Sequence, residues 1–293
     1  MNTHAIPESP VQPRAVPEVP FTRRFAWLVR REIAENRSIY LVPLGVAVLI
    51  VLGFALRVAH GPFADLQQQD TEQPYTFAAL LLMGATMLVA IFYSVDALYS
   101  ERRDRSILFW KSLPVSDLET VLAKASIPIV IMPLIAFTVT LITQVLMLLM
   151  AGARGGSPWA HLSFGQMTWI LFYHLVLGHG FWYAPFWGWI LLASAWARRA
   201  PFVWAALPLL AVGLLEKIVF NTSRFGRWVA YRLAADPAPG RPVGHQHQAM
   251  TMANVTPFAW NEFFTSPGFW FGLALAAVFL YGAIRLRRRG VPV

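Results

Sequence analysis

The sequence predicts an all-α, polytopic membrane protein with six transmembrane helices, on three observations. Of its 293 residues 57% are hydrophobic and only 13% charged, against about 25% charged in ordinary soluble domains. The charges are clumped, and between them run apolar stretches of about 20 residues. That length spans a hydrocarbon core of roughly 30 Å at 1.5 Å rise per residue. The basic residues flank these stretches instead of lining one amphipathic surface. The net charge of +9 therefore reads as a topology signal and not as a nucleic-acid footprint. There are no cysteines, which excludes disulfides, thiolate metal sites and cysteine nucleophiles.

The elements follow in order. Residues 1–20 carry prolines at 7, 10, 13, 17 and 20 and read as a disordered cytoplasmic tail. They lack the apolar core of a cleavable signal peptide, so the first span itself directs insertion. Residues 21–293 form one membrane domain. Within FTRRFAWLVRREIAENRS, Phe21, Phe25, Leu28, Val29 and Ile33 share one helical face, and Arg23, Arg24, Arg30, Arg31 and Glu35 share the other. Trp27 breaks the pattern. This is an amphipathic helix lying in the interface, or else a simple extension of the first span.

Spans are predicted at about 39–59, 76–98, 126–150, 169–195, 201–221 and 268–286. The fourth and fifth are separated only by Ala197-Arg198-Arg199-Ala200 and Pro201, a tight hairpin. With the N-terminus inside, 17 of the 24 Lys and Arg residues fall in cytoplasmic segments and 5 in outer ones. The positive-inside rule then places both termini in the cytoplasm. The outer loop 222–267 holds four of those five. In it Phe225, Trp228, Val229 and Tyr231 accompany Arg224, Arg227 and Arg232, as in a second interfacial helix.

The most informative segment is the loop YSERRDRSILFWKSLPVSDLETVLAKA, residues 99–125. Glu101–Ser112 has helical composition and stops before Pro114, which disfavours helix in the residue preceding it. Ser116 followed by Glu119 is a capping box that starts a new helix leading into the third span. The first of these helices is expected to expose Arg102, Arg103 and Arg105 beside Ile107, Leu108, Phe109 and Trp110. Such a surface either docks a soluble partner or anchors the loop among lipid headgroups.

This loop resembles that of bacterial permease subunits of the type-2 ATP-binding-cassette exporter family. The resemblance rests mainly on SERRDRSILFWKSLPVS: Glu101 with its following basic residues and the Leu113-Pro114-Val115-Ser116 turn sit where the family has its acidic-basic start and proline turn. RREIAENRSIY matches the elbow helix, and FTSPGFWFGLALAAVFLYGAIRLRRR the last span, each more weakly. The layout matches over nearly the whole chain, although the 222–267 loop is longer than many members carry. The resemblance implies a coupling helix containing Glu101, Arg102, Arg103, Arg105, Ile107, Leu108, Phe109, Trp110 and Pro114. It also implies two cytoplasmic ATPase subunits, a second permease subunit identical or different, and a bacterial inner-membrane location among lipid.

No Gly-Lys pair occurs in the chain, so the usual phosphate-cradling loop is absent. ATP is expected on the partner, and no cofactor, metal or enzymatic activity on this chain. Leu162-Ser163-Phe164-Gly165-Gln166 is a chance likeness to a nucleotide-binding signature, in a loop placed outside. Asp96, near the cytoplasmic end of the second span, is read as pairing with an arginine of the first helix. His174, Gly178, Trp182, Pro185 and Trp189 recur at spacings of three and four. His174, Trp182 and Trp189, with Glu216, are candidates for a translocation path, against plain helix packing and interfacial snorkelling. His174 and His179 are five apart and do not chelate. His245 and His247 with Met250 and Met252 suit copper chemically but lack a complete ligand set. Two other classes stay open: a membrane-embedded lipid-modifying enzyme, for which no convergent histidines and carboxylates are found, and a non-transporting membrane anchor or sensor.

Overall fold

The computed structural model describes residues 19–60, 73–107, 115–153, 164–233 and 264–289. Every regular element among them is a helix. Five helical stretches are long and apolar enough to cross a membrane: Ser38–His60, Gln73–Arg103, Asp117–Ala153, Pro201–Phe220 and Pro267–Arg289. These are the helices of a multi-pass membrane protein. The predicted tail, apart from Val19 and Pro20, lies outside the described residues.

The amphipathic segment is a helix, α1 (Phe21–Glu35). Leu28 is buried and Val29 and Ile33 pack on the bundle, as their shared face requires. Phe21 stays half exposed and stacks on Phe25 at 5.8 Å. Asn36 ends the helix: its backbone N–H and its Nδ2 both donate to the Glu32 carbonyl at 3.0 Å. Then follow α2 (Ser38–His60), α3 (Gln73–Asp96) and a single turn, α4 (Tyr99–Arg103).

The capping box is present at the start of α5 (Asp117–Ser126). Glu119 N–H donates to Ser116 Oγ at 3.1 Å, and Ser116 N–H donates to Glu119 Oε2 at 2.7 Å. The helix continues through a π-wound segment, Ile127–Ile131, into α6 (Met132–Ala153). Pro128 has no N–H to return to the preceding turn, and this interrupts the regular ladder.

The predicted fourth span, 169–195, is not one helix. It divides into α7 (Phe164–Phe172), a second π segment (Tyr173–Trp182) and α8 (Ala184–Trp196). Tyr183 N–H reaches the Gly178 carbonyl five residues back, at 3.3 Å, and Pro185 supplies no donor to resume the α ladder at once. The apolar run is there, but its winding was invisible in composition.

The predicted hairpin is found: Ala197–Ala200 joins α8 to α9 (Pro201–Phe220). Trp196 meets Trp204 at 4.9 Å, and Trp189 Nε1 donates to the Ala205 carbonyl at 2.8 Å across it. Ala205 is the one buried residue of α9, whose remaining surface is apolar and faces outward. After α10 (Arg224–Leu233), the last helix, α11 (Pro267–Arg289), lies closely along α8. A Cβ on Gly188 would stand 3.1 Å from the Ala276 carbonyl oxygen, so glycine permits that approach.

Two large apolar cores result, with a small third cluster of Ala47, Leu82 and Val139. One gathers Tyr93, Val121, Ile127, Tyr173, Trp182, Trp187, Leu191 and Ala283. The other gathers Phe54, Tyr75, Met147, Leu148, Leu171 and Leu175. The second π segment contributes to both.

Candidate functional site

Where α1, α4, α5 and the last turn of α11 converge, four charged side chains are buried together, with Asp117 at their edge. The geometry starts with a kink. Between α3 and α4 the backbone N–H groups of Leu98 and Tyr99 both donate to Ser194 Oγ of α8, at 3.1 and 3.0 Å. That turn points Glu101 inward, where it is 4% exposed.

Lys124 Nζ lies 2.9 Å from Glu32 Oε1 and 3.2 Å from Glu101 Oε1. Arg287 pairs with the other oxygen of Glu101, and its Nε lies 2.9 Å from Asp117 Oδ1. Tyr93 donates its hydroxyl to Glu32 Oε2 at 2.9 Å. Arg31, 3.9 Å from Glu32, balances the third carboxylate. At the rim Arg24 holds Glu119 at 2.9 Å. Arg102 is buried beside this knot without a carboxylate. Its Nη2 donates to the carbonyls of Ser194 and Ala197, at 2.8 and 2.6 Å, and so caps the C-terminus of α8.

The short segment 99–103 is thereby fixed directly to α5, α8 and α11, and to α1 through Lys124 and Glu32. Taking ions out of water costs several kcal/mol each, and a buried pair repays this only when its partners are complete. Here they are nearly so. The knot therefore contributes a defined arrangement more than net stability, and it resists losing any one member. Beside it lies a cavity of about 230 Å³ whose lining includes Glu35, Asp96, Ser100, Asp104 and Arg31.

The expected surface helix over Glu101–Ser112 differs in the described part. Helix runs from Tyr99 to Arg103, breaks at Arg105 with φ 58° and is resumed at Ile107. That left-handed conformation costs about 1–2 kcal/mol outside glycine. Arg103 and Arg105 are exposed as expected. Arg102 and Ile107 are buried instead, because the kink aims Arg102 at α8. Leu108, Phe109, Trp110 and Pro114 lie outside the described residues, as do His245 and His247. Asp96 is exposed and forms no ion pair with α1 among the described residues. The pairing foreseen for it is made by Glu32, on α1 itself.

The second set of residues is spread over several local contacts. The π segment turns more slowly than an α-helix, so spacings of three and four no longer mark one face. His174 is half-buried, with Nδ1 2.9 Å from the Ile170 carbonyl. Trp182 is buried, and its Nε1 donates to the Arg232 carbonyl at 2.9 Å. Trp189 belongs to the α8–α9 hairpin. Glu216 caps α10: it accepts from Thr222 Oγ1 at 2.7 Å and from the backbone N–H groups of Arg224 and Phe225. That is a helix-end role.

Arg232, read as an interfacial residue, is fully buried. Its guanidinium lies over the Trp182 ring at 4.3 Å and donates to the carbonyls of Trp182, at 3.0 Å, and Gly268. Sequence reasoning also passed over Glu32, Lys124 and Arg287. The last two were counted only as positive-inside charges. The available signal was Glu32, directly after Arg30-Arg31 and one turn beyond Leu28 on the inner face of α1. The chain matches no family model, no curated protein and no solved structure.

Proposed function

We propose that the chain is the membrane-spanning subunit of an ATP-driven exporter in a bacterial plasma membrane. Two such subunits, identical or different, work with two copies of a separate cytoplasmic ATPase. The broken segment 164–196 supplies the sixth crossing, and both termini are cytoplasmic, in keeping with the 17-to-5 distribution of basic residues. α1 is then the interfacial elbow helix.

The observation that supports this reading best is the anchorage of the loop between the second and third spans. A docking element is useful for energy coupling only if a push on it reaches the spans. Glu101 and Arg102 tie residues 99–103 to three helices, α5, α8 and α11, through buried contacts, so a push on the exposed continuation around Arg103 and Arg105 is carried inward. The chain holds no Gly-Lys pair, so hydrolysis belongs to the partner.

The test is co-purification of an ATPase with the chain, unmodified and with Phe109 and Trp110 both replaced by Ala. Interface energy concentrates in a few buried aromatic or arginine residues, worth about 2 kcal/mol or more each. The double variant is expected to insert normally and to lose the ATPase or uncouple its hydrolysis. Retention of both at the unmodified level would make the aromatics headgroup anchors. Hydrolysis by the isolated chain would overturn the assignment.

A further inference from the structure

The two π segments face each other. Ile127–Ile131 continues α5, which carries Lys124. Tyr173–Trp182 precedes α8, whose C-terminus Arg102 caps. Both strands of the buried knot therefore lead, along covalent helix, to the same place. There the backbones touch: a Cβ built on Gly180 would stand 2.2 Å from the Ile129 carbonyl oxygen. No side chain fits, and only glycine allows the contact. On Gly178, two residues earlier, a Cβ would meet nothing nearer than 3.8 Å.

Each segment carries proline where the regular ladder fails, Pro128 on one side and Pro185 just beyond the other. The loosened backbone is held by side-chain bonds that do not depend on helix register. Trp187 Nε1 donates to the His179 carbonyl at 3.1 Å, and Tyr183 Oη donates to the Leu233 carbonyl at 2.8 Å. π segments within helices have more than one ladder available and are frequent at functional sites. The second segment reaches both large apolar cores, through Tyr173 and Leu175. On one side α8 packs on α9 and α11; on the other α2 packs on α6; α3 touches both groups.

We propose that the Ile129–Gly180 contact is a hinge about which the α8–α9–α11 group turns against the α2–α6–α7 group. A change in the knot around Glu101 reaches it along α5 and α8. The hinge rests on the exporter reading only for the source of the push; the backbone contact belongs to this chain alone. Tight backbone contact with no intervening side chain lets one group roll on the other with little repacking.

The chain has no cysteine, so two introduced ones carry the only labels. Leu149 on α6 and Val219 on α9 are exposed and lie at the helix ends remote from Glu101. Spin labels at Leu149→Cys and Val219→Cys, in the full chain in lipid nanodiscs, are expected to give two distances. Gly180→Ala wedges the segments apart and should leave one. Pro185→Ala restores a backbone donor without adding bulk, and should also leave one if Gly180→Ala does not fold. Gly178→Ala should keep both. A single distance in the unmodified chain, or two distances that survive both Gly180→Ala and Pro185→Ala, overturns the hinge. These distances are read without an ATPase. A preparation that brings down no ATPase yet shows the two-to-one collapse counts against the exporter assignment alone.

Discussion

Around Glu101 charge is set against charge. Lys124 and Arg287 stand between Glu32, Glu101 and Asp117, all but the last nearly inaccessible. At the other end of the bundle α10 sets charge against backbone. Glu216 accepts N–H groups from its first turn, and Arg232, in its last, donates to carbonyls and lies on a tryptophan face. The two solutions fail differently. Removing one ion from the knot leaves the opposite charge in excess in a low-dielectric interior. Removing an ion from α10 strands only dipoles. The expected damage therefore falls in the order Glu101, Arg232, Glu216, and each substitution probes one step of the contrast.

Glu101→Ala should be the most severe. It leaves Lys124 with Glu32 alone and Arg287 with Asp117 alone, and frees the kink that Ser194 holds. Breaking a buried pair from one side costs about 3–5 kcal/mol. Thermal unfolding in detergent should show a large drop in midpoint, or the protein should fail to accumulate. A midpoint within a degree or two of the unmodified chain would mean that water reaches the knot.

Arg232→Met keeps the bulk over Trp182 and removes the charge. Two carbonyls lose their donors, and an unsatisfied buried polar group costs about 1–3 kcal/mol; the cation–π contact adds about 1–2 kcal/mol where desolvated. The expected loss is smaller than for Glu101→Ala in the same assay. If it is larger, Arg232 has an anionic partner and the two ends do not differ in kind. Gly272→Ala offers an internal check, since its Cβ would lie 2.1 Å from Arg232 Nη2 and must displace the same side chain.

Composition and span length made the helical membrane class legible, and the capping box at Ser116 and the α8–α9 hairpin were read correctly down to their residues. Both depend on local chemistry: a hydroxyl three residues before a carboxylate, and a proline after a short polar turn. The break in the fourth segment was not legible, because π winding changes which carbonyl each N–H finds without changing the apolar run that contains it. The knot was missed for a different reason. Glu32, Glu101, Lys124 and Arg287 lie up to 255 positions apart. Each has an adequate local explanation, as a helix face, a loop charge or a positive-inside residue. Burial of all four becomes visible only once α1 and α11 are laid against α5. Arg102 shows the limit of composition most plainly, since it sits among three exposed neighbours, and a single kink turns it inward.

The smallest effect is expected at Glu216, and it tests the backbone side of the comparison most directly. Glu216 lies one turn from the end of α9 and is half-buried. Its carboxylate does what an N-cap residue would do from within α10, accepting from Arg224 and Phe225 N–H and from the Thr222 hydroxyl. Asn221, at φ 47°, supplies the tight reversal that brings the two helix ends together. Loss of a capping acceptor costs about 0.5–2 kcal/mol, and the favourable placement of a negative charge at a helix N-terminus about 0.3–1 kcal/mol more. Glu216→Gln keeps an acceptor and loses only the charge, so it should do less harm than Glu216→Ala. Neither should disturb the transport proposed above, because the carboxylate is engaged at a helix end. The measurement is transport in proteoliposomes beside thermal unfolding of each variant. If Glu216→Gln abolishes transport while its unfolding midpoint stays near that of the unmodified chain, the charge itself is on the path, and α10 is more than an anchored helix.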